Sequence, residues 1–384
     1  MYPNLYYLIE EFFVISLPFL KAVSTAGFFM ALAFVPAACL WEHELKYKEK
    51  IGELTYRTET ITVGNGINIQ RILFHFILGF IGGFKLIGLF TGDTYENNAD
   101  YFFSLQGNLT AGIICGAIWA FVTFYIQYKR RPAVPYNDIE KIYPHEYVPH
   151  AILVAALSGI IGAKVFGVLE HWGKFIKDPV HTFFSSEGFA FLGGFIVATF
   201  AMWLYHYKFS VQRMRMADAL APALILGYSL GRLGCHIAGD GDWGINNPKP
   251  NPLSWLPNWL WSYDYPHNIL RKGIYMQGCT WDDYCYKLAV PVYPTPLYEL
   301  VMGLIIVLVL LFALRREKLA GRVSAYCLML MGIERFLIEK IRVDVRYDFF
   351  GLHPTQAEIL AVFCFCCGVL LYFIASVLKA NKIK

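Results

Sequence analysis

The most informative residue for chemistry is an arginine at the end of an apolar segment. Arg232 follows the apolar stretch 219–230 and precedes a glycine-rich turn that contains Asp240 and Asp242. An ionisable side chain at membrane depth is costly and therefore indicates a functional site. The planar guanidinium group of arginine donates paired hydrogen bonds to phosphate oxygens. The pattern predicts a membrane site for a phosphate-bearing lipid.

Two later segments carry further ionisable residues that could join this site. The first contains Glu299, at the start of the apolar segment that begins at 297. The second is a charged stretch in which Arg335 and Glu339 are four residues apart and would share a helix face. Two arginines could hold a phosphodiester, and carboxylates could orient them or move a proton. The residues that we expect to converge on one cavity at the outer side are Arg232, Asp240, Asp242, Glu299, Glu339 and Arg342.

The composition defines the class of protein that must position these residues. Of 384 residues, 57% are hydrophobic and only 16% are charged, and the mean hydropathy is +0.44. This balance excludes an ordinary soluble domain and a disordered chain. The net charge of +4 is spread over short loops, which predicts membrane topology signals and no nucleic-acid partner.

Hydropathy predicts an all-α polytopic membrane protein with about nine transmembrane helices. Basic clusters occupy alternate loops, so the positive-inside rule predicts an outer N-terminus and a cytoplasmic C-terminus. The eighth segment is interrupted by Glu334, Arg335 and Glu339. The predicted spans are 12–40, 72–90, 109–126, 152–169, 189–205, 219–237, 297–313, 324–341 and 357–378.

A long polar segment, 240–294, is predicted to form a small head on the outer side. Cys279 and Cys285 lie in it and would face an oxidising compartment, where they either pair or remain two free thiols. The cysteine and histidine spacings give no sign of a metal site, and no cofactor is expected.

The chain also contains an internal similarity between two apolar pairs. Segment 82–88 resembles 162–167, and 102–107 resembles 183–188, with Lys85 and Lys164 in matching places. Duplication of a two-helix unit explains two matched blocks in the same order. Convergent helix packing through small residues is the alternative. Duplication is also found in transporters, which leaves a transporter as a weaker possibility.

Several spaced blocks resemble the bacterial prolipoprotein diacylglyceryl transferases. They are Gly-Arg-Leu-Gly at 231–234 with Trp-Gly at 243–244, Pro-Thr-Pro-Leu-Tyr-Glu at 294–299, and Arg-Phe-Leu-Ile-Glu-Lys-Ile-Arg at 335–342. The blocks at 161–169, 188–196 and 218–222 match in the same order. The resemblance extends from about residue 152 to the C-terminus, so we expect extra N-terminal spans at 1–151 and a transferase-like core at 152–384.

The resemblance implies an enzyme of the bacterial inner membrane. Such an enzyme moves diacylglycerol from phosphatidylglycerol to the lipobox cysteine in the signal peptide of a lipoprotein precursor, which leaves a thioether and glycerol phosphate. The extra spans could contact a further membrane protein. The expected catalytic residues are Arg232, Arg335, Glu339, Asp240, Asp242 and His236. The expected substrate-binding residues are Lys164, Gly193, Gly194, Tyr298, Glu299 and Arg342.

The sequence departs from the family pattern at residues that handle protons. The histidine before the paired glycines is Leu192, the asparagine after Gly-Arg-x-Gly is Cys235, and a first-span tyrosine is Ala26. At the block 294–299, Tyr293 and Pro296 stand where the family has histidine and glutamine. A thiol nucleophile needs a base, and His236, Asp240 or Asp242 could replace the histidine. The alternatives are a transferase with another acceptor and a non-catalytic membrane protein that binds lipid or a partner.

Overall fold

The fold was derived from a computed structural model of the chain. The structure describes residues 1–63, 66–88, 101, 106–129, 136–183, 190–205, 213–343, 348 and 353–382. Within these residues the protein is mostly helical.

The helices follow the apolar segments of the sequence. They are α1 Leu5–Phe13, α2 Thr25–Lys50, α3 Ile69–Gly82, α4 Leu109–Lys129, α5 Val148–Glu170, α6 Trp172–Lys177, α7 Pro179–Phe183, α8 Phe191–Tyr205, α9 Arg213–Ala238, α10 Asn258–Trp261, α11 Thr295–Arg316, α12 Arg322–Glu339 and α13 Gln356–Lys382. Four short strands complete the fold: β1 Arg57–Val63, β2 Tyr136–Ile142, β3 Ile274–Tyr275 and β4 Tyr286–Lys287.

Helices α2, α9, α11, α12 and α13 form the central bundle. Small residues allow α9 to approach α2 closely, because a Cβ at Gly234 would lie 3.1 Å from the carbonyl oxygen of Ala26. One apolar cluster around Trp41 and Leu45 joins α2 to the start of α9, and another around Leu310 joins α9, α11 and α12. Close packing in these layers holds the helix ends in fixed positions.

Buried polar groups connect the bundle at the end where α2 and α11 terminate. Glu44 is buried and accepts two hydrogen bonds from Arg315, at 2.5 and 2.8 Å. Asp218 of α9 accepts hydrogen bonds from the backbone N–H groups of Gly321 and Ser324 at 2.7 and 2.8 Å. Asp218 therefore caps α12. Its own helix, α9, begins five residues earlier, at Arg213.

The described residues also form two helical hairpins. In one, α5 packs on α8, and in the other α3, continued by the π-helical turn Gly83–Ile87, packs on α4. The second hairpin is inserted between β1 and β2, which pair antiparallel from Arg57 opposite Ile142 to Val63 opposite Tyr136. A two-stranded ribbon therefore carries the extra helices.

The two hairpins share one hydrogen bond at matched positions, while duplication of the two-helix unit stays a prediction. The N–H of Asn108, just before α4, donates to the carbonyl of Phe84 at 2.9 Å. The N–H of Ala190, just before α8, donates to the carbonyl of Ala163 at the same distance. Each acceptor is followed directly by the matched lysine, Lys85 or Lys164.

The head, residues 240–294, packs on the ends of α9 and α12. The N–H of Ile245 donates to the carbonyl of Ile341 at 2.8 Å, and β3 pairs with β4. Cys279 and Cys285 form a disulfide, which settles the choice that the sequence left open. The N-terminal segment joins the head because Tyr7 of α1 stacks on Trp281 at 4.4 Å and donates to Asp282 at 2.8 Å.

Six helices in the described part of the chain are long and apolar enough to cross a membrane. They are Thr25–Lys50, Ile69–Ile87, Leu109–Lys129, Pro144–Glu170, Thr295–Arg316 and Gln356–Val377. The protein is thus a multi-pass membrane protein, while nine spans and their orientation stay predictions. Helix α8 is shorter, and α9 and α12 carry charged residues.

The predicted first span, 12–40, is wrong at its beginning. The chain forms α1, leaves the helix at Val14 with φ 56°, and starts α2 only at Thr25. The apolar stretch 14–20 between them is largely exposed, and Lys21 after it pairs with Asp282 of the head. The two strand pairs were also absent from the all-α prediction.

Candidate functional site

Helices α9, α11 and α12 bring three charged residues of distant sequence together. Arg232 Nε lies 3.2 Å from Glu299 Oε2, and Arg335 Nη1 donates to Glu299 Oε1 at 3.0 Å. Glu299 is fully buried, whereas about a fifth of each arginine side chain is exposed. Because a buried carboxylate needs paired charges, Glu299 fixes both guanidinium groups beside the accessible surface.

The turn after α9 adds a second carboxylate to this cluster. Asp242 binds Arg232 directly and accepts from Arg342 Nη2 at 2.9 Å. Burial disfavours the ionised form of Asp242, but the charges of Arg232 and Arg342 outweigh it and lower its pKa below the usual 3.8. The hydroxyl of Thr295 donates to the carbonyl of Asp242 at 2.6 Å and anchors the turn on α11.

The predicted pair on α12 forms as expected from its spacing. Arg335 Nη2 lies 3.2 Å from Glu339 Oε2, one helical turn away, and Glu339 is buried. Arg342 Nη1 lies 3.7 Å from Glu299 Oε1. The predicted convergence of Arg232, Asp242, Glu299, Glu339 and Arg342 is therefore present, with Arg335 as a sixth member.

Asp240 lies next to this cluster but faces a different partner. Burial raises the pKa of Asp240, and the neighbouring carboxylate of Asp242 raises it further, while a hydrogen bond with Cys235 opposes both. Among the described residues, Cys235, Asp240 and Asp242 form a group with metal-ligand atoms within 4.8 Å of one another. Two arginines hold Asp242, however, and their positive charge disfavours a cation there.

His236 contacts the aromatic underside of the head. Its Nδ1 lies 3.1 Å from the hydroxyl of Tyr265, and its ring lies 5.7 Å from that of Tyr263. Its proposed role as a base stays a prediction, with Tyr265 as its observed partner.

The other predicted substrate-binding residues occupy separate places. The Tyr298 hydroxyl donates to the carbonyl of Leu260 in the head at 2.7 Å, which ties α11 to α10. Lys164 is buried on α5. Gly193 and Gly194 face α5, where a Cβ at Gly194 would lie 2.9 Å from the carbonyl oxygen of Gly159. The side chain of Leu192 lies outside the described part of the chain.

Sequence reasoning omitted two residues that lie against the cluster. Glu334 on α12 is buried, and Tyr228 on α9 donates to its Oε1 at 3.4 Å. The Tyr228 ring also lies 5.0 Å from the guanidinium carbon of Arg232. The signal was a carboxylate next to Arg335 in an apolar segment, which we had interpreted only as an interruption of a span.

The arrangement defines a class of protein. It is a multi-pass helical membrane protein with partly accessible arginines, fixed by buried carboxylates, at one end of its bundle. Such a site can bind an anionic phosphate group and stabilise charge that develops on it.

Comparison with known proteins specifies the family. The model of the prolipoprotein diacylglyceryl transferase family matches residues 110–374. The chain belongs to this family. The match begins before residue 152, and the expected domain boundary there stays a prediction.

Curated relatives carry the name phosphatidylglycerol–prolipoprotein diacylglyceryl transferase. One from Leptospira interrogans is 27% identical over 52% of this chain and 63% of its own length. One from Clostridium perfringens is 25% identical over 71% of this chain and 88% of its own. One from Corynebacterium diphtheriae is 28% identical over 67% of this chain and 85% of its own length. The chain thus spans less than two thirds of the Leptospira relative.

Proposed function

We propose that this protein transfers a diacylglyceryl group from phosphatidylglycerol to the lipobox cysteine thiol of a prolipoprotein. The observation that carries the proposal is the buried Glu299 that holds Arg232 and Arg335 at a partly accessible surface. The family of the chain and the names of its relatives point to the same reaction.

The arginine cluster suits the leaving group of this reaction. The thiol sulfur attacks the glycerol carbon, the carbon–oxygen bond to phosphate breaks, and glycerol phosphate departs with the electron pair. Negative charge grows on the phosphate as the bond breaks, and guanidinium groups fixed before the reaction stabilise it without reorganisation. Arg232 and Arg335 would bind the phosphate, and Asp242, Glu299 and Glu339 would hold them in position.

The protein would span a bacterial inner membrane, and the end of the bundle that carries the site would face the periplasm. The basic residues Lys48, Lys129, Arg315 and Arg316 lie at the C-terminal ends of α2, α4 and α11. The positive-inside rule places these ends in the cytoplasm. The head and its disulfide then lie on the outer, oxidising side.

Release of the water-soluble product tests the proposal. Purified protein in detergent would receive phosphatidylglycerol with either a lipobox peptide or the same peptide with serine in place of cysteine. We expect glycerol phosphate only with the cysteine peptide, and none with Arg232→Ala. Arg271→Ala is the matched control, because Arg271 pairs with Asp283 on the exposed surface of the head.

The outcome separates the proposal from its alternatives. Glycerol phosphate release that does not require the thiol would favour a transferase with another acceptor. Phosphatidylglycerol that binds through Arg232 without any turnover would favour a non-catalytic lipid-binding protein.

A further inference from the structure

Glu334 differs from the three carboxylates that hold the arginines. Asp242, Glu299 and Glu339 each form ion pairs with arginine side chains. Glu334 is 1% exposed, and within the described residues its Oε2 has no hydrogen-bond partner and no ion pair holds it. Burying such a group without compensation costs several kcal/mol in an apolar environment. A side chain retained at that cost indicates a role that a paired carboxylate does not fill.

Tyr228 connects Glu334 to the accessible part of the site. Its hydroxyl donates to Glu334 Oε1 at 3.4 Å, and its ring faces Arg232. Tyr228 is partly exposed whereas Glu334 is not. A substrate held by Arg232 would therefore meet the phenol first and reach the carboxylate only through it.

The charged groups around Glu334 come from three helices. Tyr228 donates to it from α9. The charges of Arg232 on α9, Glu299 on α11 and Arg335 on α12 act on it. On the α13 side, the atoms nearest to α12 at Gly332 belong to Ala361 and Phe365, which do not titrate. The ionisation of Glu334 thus depends on the same arginines that would bind the donor phosphate.

We propose that Glu334 accepts the proton of the acceptor thiol through the hydroxyl of Tyr228. This inference rests on the proposed transferase function. The thiol S–H proton passes to the Tyr228 oxygen as the Tyr228 hydroxyl proton passes to Glu334. The sulfur then forms its bond to the glycerol carbon, and the carbon–oxygen bond to phosphate breaks. The proton on Glu334 returns through Tyr228 to the departing glycerol phosphate, so the enzyme ends as it began.

The paired carboxylates are less suited to this task. Glu299 and Asp242 each form ion pairs with arginines. A proton on either carboxylate would weaken these ion pairs just as negative charge develops on the phosphate. Glu334 can gain and lose a proton without breaking an ion pair. A positioned acid or base of this kind contributes roughly 10²–10⁴-fold to rate.

The pH dependence of turnover tests the proposal. Glu334→Gln keeps the size and the acceptor oxygen but cannot take up a proton. We expect kcat to fall about 10²–10³-fold, while KM for phosphatidylglycerol changes less than about threefold because the arginines keep their partners. Wild-type kcat should rise with pH as Glu334 ionises, and this rise should be missing from Glu334→Gln. Glu334→Asp should restore the rise in part.

Two further variants support the comparison. Glu317→Gln is the matched control, because Glu317 pairs with Arg322 at the opposite end of α12. Its kcat and pH profile should equal those of the wild type. Tyr228→Phe removes the connecting hydroxyl and should lower kcat in the same way, so it decides the question if Glu334→Gln does not fold.

The results distinguish this inference from the proposed function. Wild-type turnover together with an unchanged kcat and pH profile in Glu334→Gln would contradict the role of Glu334 alone. Equal losses of donor binding and kcat in Glu334→Gln would also contradict it, since they indicate a structural role. A wild-type protein that forms no thioether would contradict the proposed function and this inference with it.

Discussion

Glu299 organises the site at the scale of single residues. It lies within 3.7 Å of guanidinium nitrogens from Arg232, Arg335 and Arg342, which come from two helices and the chain that follows one of them. The arginines were predictable from their place beside apolar segments and from motif resemblance. The central position of Glu299 was not, because it depends on how α11 rotates against α9 and α12.

Asp242 should make folding stability depend on pH in the acid range. Its pKa in the folded protein is lowered by Arg232 and Arg342, so it stabilises the fold above its usual pKa of 3.8. This stabilisation is lost as pH falls through the lowered pKa. We expect Asp242→Asn to cost about 1–2 kcal/mol at neutral pH, allowing for partial exposure.

Thermal unfolding in detergent between roughly pH 6 and pH 2 would measure the stability that Asp242 contributes. The difference in unfolding temperature between the wild type and Asp242→Asn should shrink as the solution becomes acidic. Asp283→Asn, whose carboxylate is exposed, is the control that should show little difference. An unfolding-temperature difference that grows on acidification would contradict the lowered pKa of Asp242.

At the scale of helices and strands, apolar patterning located the helices but not their ends. The charges within segment 324–341 interrupt its apolar pattern, yet α12 forms there, since Arg335 and Glu339 pair on one face. The β1–β2 ribbon was missed because its strands are joined across a long insertion, and strand pairing over such a distance has no local signal. The break before Thr25 was missed because the non-helical stretch 14–20 is itself largely apolar, so hydropathy does not mark it.

Asp218 should matter more for stability than an ordinary helix cap. It is buried and accepts three hydrogen bonds from Gly321 and Ser324 at the start of α12. Asp218→Ala would leave these donors without their partner, and we expect a loss of about 2–3 kcal/mol. Thermal unfolding, with Asp283→Ala as the control, would measure this loss of stability. An unchanged unfolding temperature in Asp218→Ala would show that α12 does not depend on this cap.

The glycines of the α5–α8 hairpin should resist enlargement. A Cβ at Gly194 would lie 2.9 Å from the carbonyl oxygen of Gly159, whereas a Cβ at Gly173 would meet nothing within 4 Å. We expect Gly194→Val to separate the two helices and to cost on the order of 1–3 kcal/mol. Gly173→Val is the control, and cysteine cross-linking between α5 and α8 would report the separation. Equal cross-linking in both variants would count against close packing as the reason for this glycine.

At the scale of the whole molecule, the site, the head and the N-terminal segment lie at one end of the bundle. Composition and the positive-inside rule predict this polarity without any structure. The sequence predicts the inserted hairpin from its similarity to a later segment, but its attachment through a ribbon could not be predicted, since that requires the pairing of β1 with β2.

The inserted hairpin should be dispensable for folding of the bundle. Replacing residues 64–135 by an Asn-Gly turn would join Val63 to its partner Tyr136 as an ordinary β-hairpin. We expect this variant to fold and to keep turnover within about threefold, because the cluster residues lie on other elements. A folded variant that fails only with a full-length prolipoprotein would assign the hairpin to recognition of a membrane protein partner. Loss of turnover with a short lipobox peptide would place the hairpin in the site itself.

The mass of the acceptor peptide shows whether Arg232 serves transfer of a diacylglyceryl group to the lipobox cysteine. A lipobox peptide would be incubated with the protein and with phosphatidylglycerol that carries deuterated acyl chains, and its mass would then be measured. We expect the cysteine to gain the deuterated diacylglyceryl group with wild-type protein and Arg271→Ala, and to gain nothing with Arg232→Ala. An unmodified peptide with folded wild-type protein, or equal modification by Arg232→Ala, would contradict this expectation.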